Sequence, residues 1–474
     1  MFQTVTLPVW ALILILGFAA VTFASHFLFP SVRWFFRRRM ERAVAKLNNR
    51  LQRPIEPFKI MRRQDQVTRL IYDPQVMEAV REYAREEGVP PNVAFEKARS
   101  YAREIVPGFS TATYFGFAIK LAQRLSQGLY HVRIGGADTP GLQQIDSRSA
   151  VVFVMNHRSN MDYVLITWLA SKHSALSYAV GEWARVWPLK ALIRAMGAYF
   201  IRRRYSNPLY RAILARYVQM SVQQGTTQAI FPEGGLSLTG TVGDAKKGLL
   251  HYIVRGFSLN EGQDVVFVPV ALNYDRILED RVLISAGLQG IRRFPVRMKV
   301  VLGFALRILW RKLRGRFTPF GYEAVCYGAP LSLREFMKTT PNASTETLAK
   351  TLMQRIRSAV PVLPVPFVAA ALVRCGGACS KARLQAECTQ LRADLHARKA
   401  WVHLPEEQGN TYIDEGLAAL ELRGIITVTA ERISTTPGEE TILGFYAAST
   451  LQRCDAPPGI SNDQHHMLQN PETH

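Results

Sequence analysis

The sequence predicts an α/β protein in which a mixed, mainly parallel sheet is flanked by helices. Short apolar runs alternate with helical stretches from about residue 136 onwards, a pattern typical of a buried sheet in layers. Residues 35–135 are rich in helix formers, and residues 7–29 form an apolar run of roughly 20 residues, the length of one bilayer crossing. We therefore expect an N-terminal transmembrane helix, a helical region, the sheet, and a smaller C-terminal α/β region.

The apolar run from Leu7 to Phe29 is predicted to anchor the chain in a membrane. No Lys or Arg precedes Arg33, which argues against a cleaved signal peptide, and basic residues such as Arg37 and Arg42 follow the run. Positive charge stays on the cytoplasmic side of a membrane. We expect a single-pass anchor within residues 1–34, with the rest of the chain cytoplasmic, as in a bacterial inner-membrane protein. A buried core helix or a hairpin that dips into the membrane is the alternative.

The charge balance indicates a polyanionic partner, because 59 Lys and Arg face 37 Asp and Glu and give a net charge of +22. No finger spacing, aromatic RNA-binding motif or basic zipper is present, so we expect no nucleic acid and favour an anionic phospholipid membrane. Residues 291–317 mix basic and bulky apolar residues, which predicts a membrane-interface segment or a solvated basic face. The five cysteines are irregularly spaced and predict free thiols and no metal site.

Three helices are predicted within residues 35–135. The first covers residues 77–87 and ends before Gly88, and the second covers residues 92–105. The third, residues 118–130, carries apolar residues at helical spacing and either packs on the protein or lies on a membrane.

The region 136–340 is predicted to hold the sheet, with helices at residues 163–171 and 207–223. Loops at the ends of such strands are the usual place for ligand sites. The predicted strands are residues 151–155, 198–201, 227–231, 265–272 and 324–327.

A polar, turn-rich stretch followed by a Pro-rich run marks residues 341–366 as a linker. Residues 367–454 then read as a small C-terminal domain of helices and one or two strands, including residues 425–429. The polar residues 455–474 are predicted to form a disordered tail.

His157 and Asp162 follow the apolar run 151–154, where a buried strand would end. Imidazole titrates near neutral pH, and a carboxylate can orient it and stabilise its protonated form. The pair therefore suits removal of a proton from an alcohol. A loop histidine that is only solvated or hydrogen-bonded for structural reasons is the alternative.

Three further groups follow strands or form them. Residues 197–204 end in arginines, including Arg202 and Arg203, whose guanidinium groups suit phosphate, although a solvated basic loop is equally compatible. Residues 231–240 place Glu233 before Gly234 and Gly235, which allow close approach of backbone N–H groups to a ligand or form a plain turn. Residues 266–274 form a buried strand in which Pro269 suggests an edge or a bulge.

In this order and spacing, the four groups resemble the blocks of the glycerol-3-phosphate and dihydroxyacetone-phosphate acyltransferase family. The blocks are the His-x4-Asp pair with Arg-Ser after the His, residues 197–203, the Glu-Gly-Gly turn at residues 231–235, and Val268-Pro269. The resemblance covers most of residues 90–335, with a weaker likeness around residues 442–447. The family usually carries Arg after Glu-Gly-Gly, whereas Leu236 and Leu238 stand here, so Arg202, Arg203, Lys246 or Lys247 supplies the charge or the acceptor differs.

The resemblance implies an acyltransferase fold and transfer of a fatty acyl group from acyl-CoA or acyl-carrier protein to the sn-1 hydroxyl of glycerol 3-phosphate, the first step of phospholipid synthesis. It implies His157 as the general base, Asp162 as its orienting partner, and no cofactor beyond the thioester co-substrate. Ser159 or Asn160 is expected to cap the following helix. A lysophosphatidate or dihydroxyacetone-phosphate acyltransferase is the alternative, and a non-catalytic membrane scaffold is a third reading. The residues that the resemblance assigns to substrate binding are Arg158, Ser159, Arg202, Arg203, Glu233, Gly234, Gly235 and Ser237.

Overall fold

The structure is a computed structural model of the 474-residue chain. It describes residues 8–19, 38, 42, 45, 48, 51, 54–135, 139–170, 175–181, 189–202, 207–260, 262–290, 298–404 and 411–455. Residues Met1–Ile55 and Glu56–His474 form two separate units. Within the first unit, residues 9–19 are helical and large apolar side chains such as Trp10 and Phe18 are exposed.

The second unit is built on an eight-stranded, mainly parallel sheet, as the sequence predicts. Its strand order is β1-β7-β6-β2-β5-β3-β4, and β8 pairs with β6 beside β7. The pairs β2–β5, β2–β6, β3–β5, β3–β4 and β1–β7 are parallel, whereas β6–β7 and β6–β8 are antiparallel. These strands are β1 His131–Gly135, β2 Ala150–Met155, β3 Ser177–Val180, β4 Tyr199–Phe200, β5 Gln228–Ile230, β6 Val265–Tyr274, β7 Tyr322–Tyr327 and β8 Leu331–Ser332.

A second, three-stranded sheet lies in the C-terminal region. Its order is β10-β11-β9, and both pairs are antiparallel. The strands are β9 Ala378–Cys379, β10 Ile426–Val428 and β11 Ile433–Thr435.

Helices precede the large sheet, connect its strands and follow it. A π-helical segment, Ala112–Ala118, leads directly into α5. Those up to β6 are α1 Pro57–Ile60, α2 Arg63–Ile71, α3 Pro74–Glu86, α4 Pro91–Ile105, α5 Ile119–Leu129, α6 Thr139–Gln143, α7 Met161–Ala170, α8 Leu189–Ala195, α9 Pro208–Gln223 and α10 Gly248–Arg255. Those after it are α11 Asp280–Leu288, α12 Met298–Leu313, α13 Leu333–Thr339, α14 Thr345–Ala359, α15 Pro364–Arg374, α16 Lys381–Ala397, α17 Thr411–Leu422 and α18 Glu440–Asp455.

The large sheet is covered on both faces, which explains why its central strands are continuously apolar. Val151, Phe153 and Met155 of β2 face a core shared with α7 and with the C-terminal helices α15–α18. Ala150 and Val152 face the opposite core, which is shared with α2–α4, α9 and α14. The carboxyl ends of the parallel strands β2, β4, β5 and β6 lie at one edge, where ligand sites of such sheets usually form.

The five predicted strands of the large sheet are all present, with each bound shifted by at most two residues. β1, β3 and β8 were not predicted, because they are short or, like β1, carry polar residues between the apolar ones. Pro269 is not at an edge, since β6 lies between β2 and β7. It falls between the residues that pair with β8 and those that pair with β7, so its missing N–H interrupts neither ladder.

The sequence predicts residues 341–366 to be a linker between the sheet region and the C-terminal domain, and these two regions share one core. That stretch contains α14, and Val362 and Val365 are buried in the same core as the C-terminal helices. No helix among the described residues is long and apolar enough to cross a membrane. Much of the predicted anchor (residues 1–7 and 20–34) and most of the predicted tail lie outside the described residues.

Candidate active site

His157 and Asp162 form a buried pair at the carboxyl end of β2. The His157 Nδ1 and Asp162 Oδ2 atoms are 2.8 Å apart, and the two residues are 3% and 0% exposed. Asn156 fixes the strand end, because its amide group exchanges hydrogen bonds with both the N–H and the carbonyl of Leu272 on β6. The loop that carries the base therefore starts from a rigid strand.

Asp162 is held as an acceptor by four donors. Its Oδ2 atom accepts from His157 Nδ1 and from the backbone N–H groups of Arg158 (2.7 Å) and Ser159 (3.1 Å). Its Oδ1 atom accepts from the Tyr274 hydroxyl at 2.6 Å. A carboxylate in this environment accepts a hydrogen bond from the Nδ1–H of a neutral imidazole, which leaves Nε2 as the basic nitrogen.

The His157 ring is fixed by aromatic contacts. It stacks on Phe231, with ring centroids 4.3 Å apart, and meets Tyr163 edge-on at 5.2 Å. No hydrogen-bond partner reaches Nε2 among the residues that the structure describes. The arrangement can therefore accept a proton at Nε2 while Asp162 stabilises the resulting charge.

Glu233 follows β5 and links the carboxyl end of that strand to the loop that follows β2. Its Oε1 atom accepts the His157 backbone N–H at 2.9 Å, and its Oε2 atom accepts that of Gly243 at 2.9 Å. Burial raises the pKa of Glu233, and the two backbone hydrogen bonds oppose that rise. Ser237 adds a further tie, because its backbone N–H donates to the His157 carbonyl at 2.8 Å.

Arg158 points into the interior. It is 1% exposed, its Nη1 donates to the Gly240 carbonyl, and its guanidinium lies 5.4 Å from the ring centroid of Phe445 on α18. Burial lowers the pKa of Arg158. The side chain thus links the base loop to the loop around Gly240 and to the C-terminal region.

Glu279 supports the base loop and was not predicted. It accepts from the Ser159 hydroxyl at 3.0 Å and from the Asn160 backbone N–H at 2.6 Å. Ser159 in turn accepts from the Met161 N–H at 3.2 Å, so it caps the first turn of α7 as expected. Glu279 lies 117 residues beyond Asp162 in the chain, and only the fold brings them together.

Tyr274 and Glu323 lie behind Asp162 and were also not predicted as site residues. Tyr274 is the last residue of β6 and faces Glu323 of β7 directly across the antiparallel pair. Both are 0% exposed. The position of Tyr274 at the end of a strand next to β2 is the signal that could have identified it.

Arg202 lies apart from this group. Its guanidinium pairs with both carboxylate oxygens of Glu104 on α4, and this hydrogen bonding raises its pKa. It also packs over Tyr101 and Tyr210, which belong to the core on the sheet face opposite the His157 ring. Arg203 lies outside the described residues, and the roles of both arginines stay predictions.

The Glu-Gly-Gly turn brings a lysine to the site. Gly234 has a φ of 67°, and a Cβ at this position would lie 2.8 Å from the Lys246 side chain. Leu236 and Leu238, which stand where the family carries arginine, pack against the apolar core. Lys246 is therefore the candidate cation nearest to this turn among those that the sequence proposed and the structure describes.

Among the described residues, no group of three or more His, Cys, Asp or Glu side chains could hold a metal ion. The carboxylates of Asp162, Glu233 and Glu279 instead accept hydrogen bonds from backbone N–H groups and hydroxyls. The chemistry that the group can perform is proton transfer at His157 Nε2.

Comparisons with known proteins point to one family. A family model described as Acyltransferase matches residues 138–273, and one described as Glycerol-3-phosphate acyltransferase C-terminal region matches residues 306–451. A glycerol-3-phosphate acyltransferase of Pseudomonas syringae pv. syringae is 28% identical over 334 residues, 66% of this chain and 39% of that protein. One of Pseudomonas fluorescens is 27% identical over 334 residues, with the same shares of 66% and 39%. The chain thus covers only 39% of the length of these relatives.

Among solved structures, the 1-acyl-sn-glycerophosphate acyltransferase of Thermotoga maritima matches with a TM-score of 0.32 and 21% sequence identity. That match covers 50% of this chain and 75% of the other one.

Proposed function

We propose that the chain transfers a fatty acyl group from a thioester to the sn-1 hydroxyl of glycerol 3-phosphate, a proposal supported by its matches to the acyltransferase models and its similarity to glycerol-3-phosphate acyltransferases. The product is lysophosphatidate. The observation that carries the proposal is the 2.8 Å contact between His157 Nδ1 and Asp162, which leaves Nε2 as the base. The donor is acyl-CoA or acyl-carrier protein.

His157 Nε2 removes the proton of the acceptor hydroxyl as its oxygen attacks the thioester carbonyl. The new C–O bond forms, the C–S bond breaks, and the thiolate leaves and takes the proton back from the imidazolium. Asp162 stabilises that imidazolium, and general base catalysis of this kind contributes about 10²–10⁴-fold. No cofactor enters the reaction, because the thioester is already activated.

The acceptor phosphate needs a cation near the Glu-Gly-Gly turn. Lys246, whose side chain crosses Gly234, supports a phosphate position there. Arg202 and Arg203 were the sequence candidates, and the pairing of Arg202 with Glu104 is a competing interaction that phosphate would have to displace. Lys246→Ala and Arg202→Ala separate the two positions, since the residue that holds phosphate raises the KM for glycerol phosphate when it is removed.

The decisive experiment offers purified protein three labelled acceptors separately: glycerol 3-phosphate, dihydroxyacetone phosphate and lysophosphatidate. We expect glycerol 3-phosphate to be acylated fastest, with loss of that activity in His157→Ala. The matched control is His251→Ala, an exposed histidine on α10. Acylation of lysophosphatidate alone would show that the protein is a lysophosphatidate acyltransferase instead. Equal rates for wild type and His157→Ala would refute the role of His157.

Membrane association is part of the proposal, since the acyl product is a lipid. Leu306, Trp310 and Leu313 on α12 are 56%, 50% and 78% exposed and share one helical face. Arg307 and Arg311 lie in a neighbouring row on the same helix and Arg314 follows its last residue, the arrangement of an interfacial helix on anionic lipid. The anchor predicted in residues 1–34 would hold the chain at the same membrane.

The test of this surface uses the full chain and vesicles of phosphatidylcholine with phosphatidylglycerol. The fluorescence of Trp310 is obtained as the difference between wild type and Trp310→Phe. We expect brominated lipid in the vesicles to quench this Trp310 fluorescence. Leu306→Ser and Leu313→Ser should weaken the quenching, whereas Leu422→Ser, equally exposed on α17, should not. An unquenched Trp310 on bound vesicles would exclude α12 from the interface.

A further inference from the structure

We propose that Tyr274 and Glu323 are positioning residues for the base, with Glu323 acting as a neutral acid that donates to Tyr274 while Tyr274 donates to Asp162. The proposal rests on the proposed acyl transfer, because it concerns the partner of His157. It extends the base pair into a buried chain of four side chains that runs His157, Asp162, Tyr274, Glu323.

The geometry of two strands sets up this chain. Tyr274 and Glu323 are direct partners in the antiparallel register of β6 and β7, and β6 also pairs in parallel with β2, which ends at the base loop. The Tyr274 hydroxyl donates to Asp162 Oδ1 at 2.6 Å. A hydroxyl has one proton and two lone pairs, so Tyr274 can accept a second hydrogen bond on the side of Glu323.

Glu323 is an unexplained group in the interior. It is 0% exposed, and neither carboxyl oxygen has a well-formed hydrogen bond among the described residues. The hydroxyls of Tyr274 and Ser126 lie next to it. An ionised carboxylate left so poorly paired would be costly, whereas a protonated one needs only an acceptor, and the Tyr274 oxygen is that acceptor.

The surrounding charges favour the neutral form of Glu323. The Asp162 carboxylate, which Tyr274 joins to this end of the chain, opposes a second negative charge on Glu323. Burial raises the pKa of Glu323 to about 8, and the Asp162 charge adds to the rise. Besides its four members, the titratable and charged groups around this chain of side chains, among the described residues, are Arg158 after β2, Glu233 after β5, Arg276 and Glu279 after β6, Tyr446 on α18, and Tyr130 after α5.

The single proton of Tyr274 couples Glu323 to the base. While Glu323 is protonated, it supplies its own proton and Tyr274 is free to donate to Asp162. Once Glu323 ionises, it competes for the Tyr274 proton, and Asp162 loses one of its four donors. The position of Asp162, and through it the orientation of the His157 ring, is then less well defined.

The test compares the pH dependence of kcat/KM in wild type, Glu323→Gln and Tyr274→Phe. Wild type should lose activity as the pH rises through 8. Gln cannot ionise and donates to Tyr274 at every pH, so Glu323→Gln should keep activity within about 2-fold at pH 7 and lack this alkaline decrease. Tyr274→Phe removes the link and should lower kcat about 10-fold below pH 8, the effect of one hydrogen bond to a charged group, and this deficit should shrink above pH 8, where Glu323 in wild type competes for the Tyr274 proton. The matched control is Tyr130→Phe, a buried tyrosine in edge contact with Tyr274 whose hydroxyl donates to the Arg276 carbonyl instead.

Three results would overturn the proposal: a Glu323→Gln variant that folds and is inactive at pH 7, an unchanged alkaline limb in that variant, or equal profiles for Tyr274→Phe and Tyr130→Phe. A second measurement does not depend on turnover. The ¹H resonance of the His157 Nδ1–H, assigned by its loss in His157→Gln, should shift with pH in wild type and not in Glu323→Gln. If the protein acylated no acceptor, the proposed function would fail, and this resonance would still decide whether the chain of hydrogen bonds exists.

Discussion

Asp162→Asn isolates the charge of the orienting carboxylate from its hydrogen bonds. With the amide oxygen at the Oδ2 position, the backbone N–H groups of Arg158 and Ser159 and the His157 Nδ1–H keep their acceptor. The amide NH₂ then faces Tyr274, whose oxygen can accept. The substitution should therefore leave the loop in place and remove only the negative charge.

The size of the effect follows from the distance. His157 Nδ1 and Asp162 Oδ2 are 2.8 Å apart, which puts the centres of the two charges about 4 Å apart, and at an effective dielectric constant of about 20 that separation corresponds to about 4 kcal/mol. Each 1.4 kcal/mol is about tenfold in rate. We expect kcat to fall about 10³-fold, with little change in the KM for either substrate.

The assay is steady-state transfer of labelled acyl groups to glycerol 3-phosphate, with the melting temperature measured on the same preparations. A loss of less than about tenfold in a folded variant would show that the charge of Asp162 contributes little. A large fall in melting temperature would mean that the carboxylate is needed for folding. The fall in kcat could then not be attributed to the charge of Asp162 beside His157.

Three further predictions follow from neighbouring residues. Glu279→Ala frees the Ser159 hydroxyl and the Asn160 N–H and should lower kcat about tenfold, at a cost of about 1–3 kcal/mol in unfolding free energy; unchanged kinetics would remove its supporting role. Arg158→Met should leave the KM for glycerol phosphate within about 2-fold, because the Arg158 side chain is buried against Gly240 and Phe445. A rise in this KM of about tenfold (about 1.4 kcal/mol) would instead indicate that Arg158 contacts the substrate directly, as the sequence implied. For Glu323, a folded-state pKa of about 8 means that the stabilisation of the neutral acid is complete below pH 4.5 and is lost as the pH rises through 8. Relative to Glu323→Gln, the unfolding free energy of wild type should fall by up to about 1.4 kcal/mol per pH unit in that window, and parallel curves in thermal melts would contradict it.

The sequence identifies the parts of the site that are local in the chain. His157 and Asp162 are separated by four residues, so a strand end and one helical turn suffice to bring them together. The apolar runs likewise predict the central strands, because strands buried on both faces need continuous apolar residues.

Residues that meet only through the tertiary fold could not be predicted. Tyr274 at the end of β6 and Glu279 in the segment after it contact Asp162 and the base loop, and Glu323 of β7 lies behind Tyr274. No local pattern distinguishes such a buried carboxyl from a surface one. Arg202 was assigned to phosphate on its position after a strand, and its pairing with Glu104, 98 residues earlier, depends on the packing of α4.

Loss of acyl transfer in His157→Ala tests the central claim most directly. With full-length protein, labelled glycerol 3-phosphate and an acyl thioester, wild type should form lysophosphatidate, and His157→Ala should form it at least about 10²-fold more slowly with an unchanged melting temperature. A folded His157→Ala variant that kept more than a small percentage of the wild-type rate would contradict the assignment of His157 as the base.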